Sequence, residues 1–245
     1  MKDKQEILDT VFRLIELHRA GALGGEKMPE DENPDLARGS AENLLYFTLP
    51  MALNYQRDSY KLWAAANKTW ADATTRAVFD PAAVARMLDD ELRSALIKYG
   101  VALQPNKHVE IWRTISMTFA RTNISDFFQN LDFDVAKIKT YILAHKKDFP
   151  YLSGPKILNY WLYVMTHYTD LKLRGRDHIT VAPDTHVIQA SVRLGLIDPS
   201  IATAADARDR VAAIWAELLD GTGVLPIDVH TPLWLWSRGG FKKGA

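Results

Sequence analysis

Apolar residues recur at three- and four-residue spacing along almost the whole chain, and almost nothing in it alternates like a strand. Ile7, Leu8, Val11, Phe12, Leu14 and Ile15 mark an amphipathic opening helix. Leu44 to Leu53 is apolar enough for a buried one, ending near Asn54-Tyr55-Gln56. Ser59 is placed to cap a helix through Trp63, and Asp80-Pro81 pairs a capping carboxylate with a first-turn proline for a helix towards Met87. Leu92 to Tyr99 stops at Gly100; Pro105 to Phe119, Phe133 to Ile142, Lys156 to Tyr168 and Asp206 to Leu219 complete the set. Residues 21–43, rich in Gly, Pro, Asp and Glu, read as a solvated loop. Ile179-Thr180-Val181 is too short to build a sheet, so an all-α fold is expected.

With 245 residues, 47% of them hydrophobic, the chain can bury a substantial core. No apolar run approaches a membrane span, and Met1-Lys2-Asp3-Lys4 leads into an amphipathic segment and not a secretory signal, so the cytoplasm is the expected location. There is no cysteine, which removes disulfides, thiolate nucleophiles, iron–sulfur clusters and cysteine-bound zinc. The seven histidines show no metal-ligand spacing, and no phosphate-binding or dinucleotide fingerprint is present. No metal and no cofactor is therefore expected. Thirty basic residues balance thirty acidic ones, against the basic excess usual in DNA binders. Their distribution is uneven. Glu26, Glu30, Asp31, Glu32 and Asp35 crowd one early loop, while Lys172, Arg174, Arg176, Arg238, Lys242 and Lys243 gather in the last third.

Two segments carry potential chemistry. Ser153-Gly154-Pro155-Lys156 opens a very apolar helix, and Pro183-Asp184-Thr185-His186-Val187, followed by Arg193-Leu194-Gly195-Leu196, heads another. A lysine in the opening turn of a partly buried helix is pushed towards its neutral, nucleophilic form by desolvation and by the positive helix end. A carboxylate at an N-cap accepts a backbone N–H and can also face a developing positive charge. Taken singly, each has a plainer reading: Lys156 as a surface lysine, Asp184 as a cap, His186 as a satisfied helix histidine. Trp234 and Trp236, two apart on one helix, face different sides, so one of them belongs to the core.

From Leu44 to Leu196 the order of these segments resembles the helix-hairpin-helix DNA glycosylases, the superfamily of endonuclease III and the 8-oxoguanine glycosylases. Leu53-Asn54-Tyr55-Gln56-Arg57-Asp58-Ser59 matches the glutamine-bearing turn, and Gly100 to Lys107 the glycine-turn-lysine before a long helix. Phe149 to Lys156 matches the hairpin, and Pro183 to Val187 the segment with the essential aspartate. His230-Thr231-Pro232-Leu233-Trp234-Leu235-Trp236-Ser237-Arg238 is similar to the tail of the archaeal-type 8-oxoguanine enzymes. The chain departs from the pattern where Leu152 replaces the first hairpin glycine, and where His230 stands in an acidic place, with Asp228 nearby.

The resemblance implies a two-lobed fold with its active cleft between lobes. One lobe would be residues 58–170, ending in the helix-hairpin-helix, and the other 1–57 with 171–245. It implies a monomer that acts on double-stranded DNA containing a damaged base. Lys156 would be the Schiff-base nucleophile and Asp184 its carboxylate partner. Gln56, Trp234, His230 and Tyr160 would contact the base or its orphaned partner, and Ser153, Gly154, Arg174 and Arg176 the DNA backbone. The implied activity is removal of an oxidised purine such as 8-oxoguanine followed by strand cleavage. The alternatives are a monofunctional glycosylase for alkylated or mismatched bases and a non-catalytic DNA-binding module. A helical interaction scaffold is a third possibility, one that gives Lys156 and Asp184 no joint task.

Overall fold

The computed structural model describes residues 3–24 and 27–242. Met1, Lys2, Glu26 and Lys243, which figured in the sequence reading, lie outside the described residues. The chain divides into two compact units, one made of residues 27–175 and one of residues 1–26 with 176–245. Residues 27–57 therefore belong with the middle of the chain, and the division falls between Gly175 and Arg176.

The terminal unit begins with α1 (Lys4–Arg19). The middle unit follows with α2 (Ala41–Ala52), α3 (Ser59–Ala71), α4 (Pro81–Val84), α5 (Asp89–Lys98), α6 (Pro105–Arg121), α7 (Ile124–Asn130), α8 (Val135–Ala144) and α9 (Pro155–Tyr168). The chain then returns to the terminal unit with α10 (Thr185–Leu194), α11 (Pro199–Ala202), α12 (Ala207–Leu219) and α13 (His230–Arg238). Among the described residues there is no strand, only an isolated bridge between Asp134 and Arg174. The protein is all-α. No described helix is long and apolar enough to cross a membrane.

The middle unit is organised around α2, whose residues from Asn43 to Ala52 are all buried. α2 packs on α3, α6, α7 and α9. Being apolar on every side, it can sit only at a centre. Tyr46 and Phe47 of α2 and, elsewhere in the unit, Trp63, Trp112, Phe128, Phe149 and Trp161 are fully buried. The buried indoles of Trp112 and Trp161 donate to Val78 O at 2.8 Å and Thr48 Oγ1 at 3.0 Å, so burying them leaves no N–H unsatisfied. In the terminal unit α10 packs on α13, α12 and α11, and α1 on α13 and α12. Trp215 at its centre donates to Ser191 Oγ at 2.9 Å.

Several boundaries differ from the sequence expectation for local reasons. Asp58, not Ser59, caps α3 by accepting the Lys61 amide at 3.2 Å; Ser59 Oγ instead donates to Asn54 Oδ1. The alanines after Trp63 then carry α3 on to Ala71. Asp80 caps α4 as expected, but the helix stops at Val84 instead of continuing towards Met87. There the Arg113 guanidinium takes over the Val84 and Met87 carbonyls at 2.9 and 3.0 Å. Asp132 and Phe133 both have positive φ, which delays α8 to Val135, where Asp134 caps it.

The largest correction concerns residues 21–43. This segment is not a uniformly solvated loop, because Leu23, Pro29 and Glu30 are buried and the short 3-10 turn Pro29–Asp31 packs on α3. Asp31, Glu32 and Asp35 do remain exposed.

Candidate active site

In the middle unit, Lys156 is the second residue of α9 and is half-buried. Gly154 is the N-cap, and Pro155 at the first helical position has no N–H to leave unpaired. No side chain caps this helix start, and a helix N-terminus is a place that favours an anion. Ser153 and Gly154, both part-exposed, sit at this turn. A Cβ on Gly154 would meet Tyr151 O at 3.1 Å, tighter than a side chain normally allows. Leu152, standing at a hairpin glycine in the resemblance, is fully buried and serves packing. The left-handed turn is carried one residue earlier, by Tyr151 at φ 60°. That conformation costs a non-glycine residue roughly 1–2 kcal/mol. The Tyr151 ring is held in return by Tyr55 at 5.2 Å and by the Lys107 ammonium over its face at 5.0 Å.

Gln56 is exposed and also has a positive φ, 50°. Arg57 beside it donates to Val101 O at 2.7 Å and Gly100 O at 3.0 Å, which fastens the glutamine turn to the turn before α6. Gln56, Leu103, Gln104, Lys107, His108 and Tyr151 help line a small cavity of about 120 Å³. Leu103 is 60% exposed at its edge. Burial lowers the pKa of His108, with Arg57 and Lys107 adding to the effect, and its Nδ1 accepts the Leu103 N–H at 3.1 Å.

Tyr160 lies one turn beyond Lys156 on the same face of α9 and donates its hydroxyl to Glu30 Oε2 at 3.1 Å. Burial raises the phenol's pKa, and the Glu30 charge adds to it. Two groups here were not legible in the sequence. Glu30 was one of five acids in an apparently solvated loop. Lys139 on α8 reaches Asn159 Oδ1 at 3.1 Å, its pKa lowered by burial, while Asn159 holds Pro155 O at 2.7 Å. No motif marks either. Arg174, expected at the DNA backbone, is exposed and donates twice to Asp132 O, at 3.1 and 2.9 Å.

In the terminal unit Asp184 caps α10, accepting the Val187 amide at 2.9 Å, and Gly195 closes that helix at φ 75°. His186 is bound to Ser237 Oγ through Nδ1 at 3.1 Å and meets the Trp234 ring edge-on at 5.5 Å. The Arg238 guanidinium lies 5.0 Å over the same indole. Trp234 is part-exposed and Trp236 is buried, so the two tryptophans divide as their spacing required. His230 is buried at the start of α13, and Arg176 is ion-paired with Asp228 at 3.4 Å. Among the described residues no group of three or more His, Asp or Glu side chains could hold a metal ion.

The structure thus gathers the glutamine turn, the lysine turn, Tyr160 and Arg174 in the middle unit. It gathers Asp184, Arg176, His230 and Trp234 in the terminal one. No protein-family model matches the chain, and no curated protein matches it.

Proposed function

We propose that this protein is a base-excision DNA glycosylase with lyase activity, of the helix-hairpin-helix type, acting on an oxidised purine through Lys156. On this reading its two units are the two lobes of that fold. The placement of Lys156 supports the reading most. Lys156 stands half-buried in the first turn of α9, behind a tight glycine turn that no side chain caps. Such a turn fits a DNA phosphate, and the lysine follows it directly.

The chemistry follows from that amine. Its attack on the sugar C1′ forms a carbon–nitrogen bond as the glycosidic bond breaks, and the base departs with the bonding pair. Loss of the amine protons and opening of the ring give a Schiff base, from which β-elimination expels the 3′ phosphate. Asp184 is the carboxylate that stabilises the developing positive charge and takes protons from Lys156. The reading requires both side chains to act on one deoxyribose.

A target base must leave the helical stack, at a cost of roughly a few kcal/mol. Leu103, an exposed apolar tip beside Gln56, suits the gap left behind, with Lys107 at hand for a phosphate. Trp234, met edge-on by His186 and with the Arg238 guanidinium over its ring, is the part-exposed aromatic proposed for stacking. The test is a panel of duplex oligonucleotides with single lesions, scored for free base and for strand scission without alkali. The expected result is release of an oxidised purine with scission, both lost in Lys156→Gln. Absence of base release from every lesion, or unchanged release by Lys156→Gln, would reject the reading.

A further inference from the structure

Glu30 is the one wholly buried carboxyl group among the described residues. It belongs to the turn Pro29–Asp31, which packs on α3, and it meets α9 through the Tyr160 hydroxyl. Its other oxygen, Oε1, is buried with no hydrogen-bond partner. The buried Trp63 indole N–H, from α3, favours the ionised form without reaching hydrogen-bonding distance of it.

The titratable neighbours are few and acidic. Asp31 comes from the same turn and accepts the Tyr168 hydroxyl at 2.8 Å. Tyr160, Tyr163 and Tyr168 come from α9. Tyr60 of α3 is turned to Lys27 O at 2.9 Å. Burial therefore dominates, pushing the carboxyl up to about 7, so that Glu30 changes charge near neutrality. The Tyr160 phenol, raised instead, stays protonated and keeps donating.

These contacts form a short chain of command. Glu30 holds the Tyr160 hydroxyl; the Tyr160 ring lies one helical turn from Lys156 on the same face and stacks on Tyr163 at 5.7 Å. An O–H donated to a carboxylate is about twice as strong as one donated to a neutral acid.

We propose that Glu30 is a positioning residue for base excision, its carboxylate form fixing the Tyr160 ring beside Lys156 and its protonated form releasing it. The proposal rests on the glycosylase reading above. It gives the enzyme a pH dependence that belongs to a residue remote in sequence from the chemistry, separate from the deprotonation of Lys156 itself.

The experiment is single-turnover excision against pH, from 5.5 to 9, on the best lesion duplex. Wild type, Glu30→Gln and Tyr160→Phe are compared, each with its fold checked by circular dichroism. Wild type should show a rising limb with an inflection near 7. Both variants should lack that inflection, and their deficit against wild type should widen by about tenfold from pH 5.5 to pH 8, which corresponds to one charge-assisted hydrogen bond. A purely structural role would lower the rate equally at every pH, and that result would overturn the proposal. So would an unaltered profile in Tyr160→Phe, which removes only the hydroxyl and keeps the test alive if Glu30→Gln fails to fold. If wild type excises nothing, the glycosylase reading falls and the proposal with it. If wild type excises and the variants keep its pH profile, the proposal alone falls.

Discussion

Replacing Glu30 by Gln should make the protein more stable at alkaline pH and leave it nearly unchanged in acid. The carboxyl is fully buried, and its pKa is raised from an ordinary 4.5 to about 7. The folded state thus binds its proton more tightly than the unfolded state does. The stability linked to this group is whole below about pH 4.5 and is lost as pH rises through about 7. At about 1.4 kcal/mol for each unit of pKa, the loss is about 3 kcal/mol between pH 4.5 and pH 8. A glutamine keeps the shape and offers Tyr160 only a weaker, neutral acceptor, but it carries no charge, so it escapes the loss. Urea unfolding of both proteins at pH 4.5 and pH 8, at one ionic strength, measures the difference directly. All other titrating groups are shared and cancel. The advantage of Glu30→Gln should grow by about 3 kcal/mol across the range, or about 1 M in urea midpoint for a slope on the order of 3 kcal/mol per molar. An advantage that stays constant with pH, or shrinks as pH rises, would refute the argument from burial.

Other substitutions separate structural from chemical roles. Asp184→Asn keeps an N-cap acceptor for the Val187 amide and should cost only a few tenths of a kcal/mol, whereas Asp184→Ala should cost about 1 kcal/mol in thermal or urea unfolding. Both should lose excision in the lesion assay; an Asp184→Asn protein of full activity would deny the carboxylate its chemical task. Gly154→Ala forces a methyl against Tyr151 O and should destabilise the middle unit by about 1 kcal/mol, read as a lower urea midpoint. Leu103→Ala removes a side chain that is mostly in solvent, so stability should hold within about 0.5 kcal/mol. Its excision rate on a paired lesion should fall further than on a lesion already in a bubble.

The helices were legible because their signals are local. Asp80 before Pro81, Asp184 before its apolar periodic run, and Gly100 after Tyr99 each act within one turn of a helix end, and the structure has all three. The division of Trp234 and Trp236 followed from helical geometry alone. Glu30 was not legible, because its burial depends on α3 and α9, about thirty and more than a hundred positions away along the chain. Composition averaged it with its exposed neighbours Asp31, Glu32 and Asp35. Tyr151 escaped notice for a related reason. A glycine announces a left-handed turn, but a tyrosine held there by Tyr55 and Lys107 does not. Lys139 carries no motif, and only its burial against Asn159 sets it apart.

The central claim is that the Lys156 amine bonds covalently to a deoxyribose, and borohydride trapping tests it most directly. Wild type incubated with a lesion duplex and borohydride should give a stable protein–DNA adduct. Lys156→Gln should give none, while Lys139→Gln, which removes the other half-buried lysine near the start of α9, should still give it. An adduct of equal yield with Lys156→Gln, or no adduct with wild type on any lesion that it excises, would contradict the account.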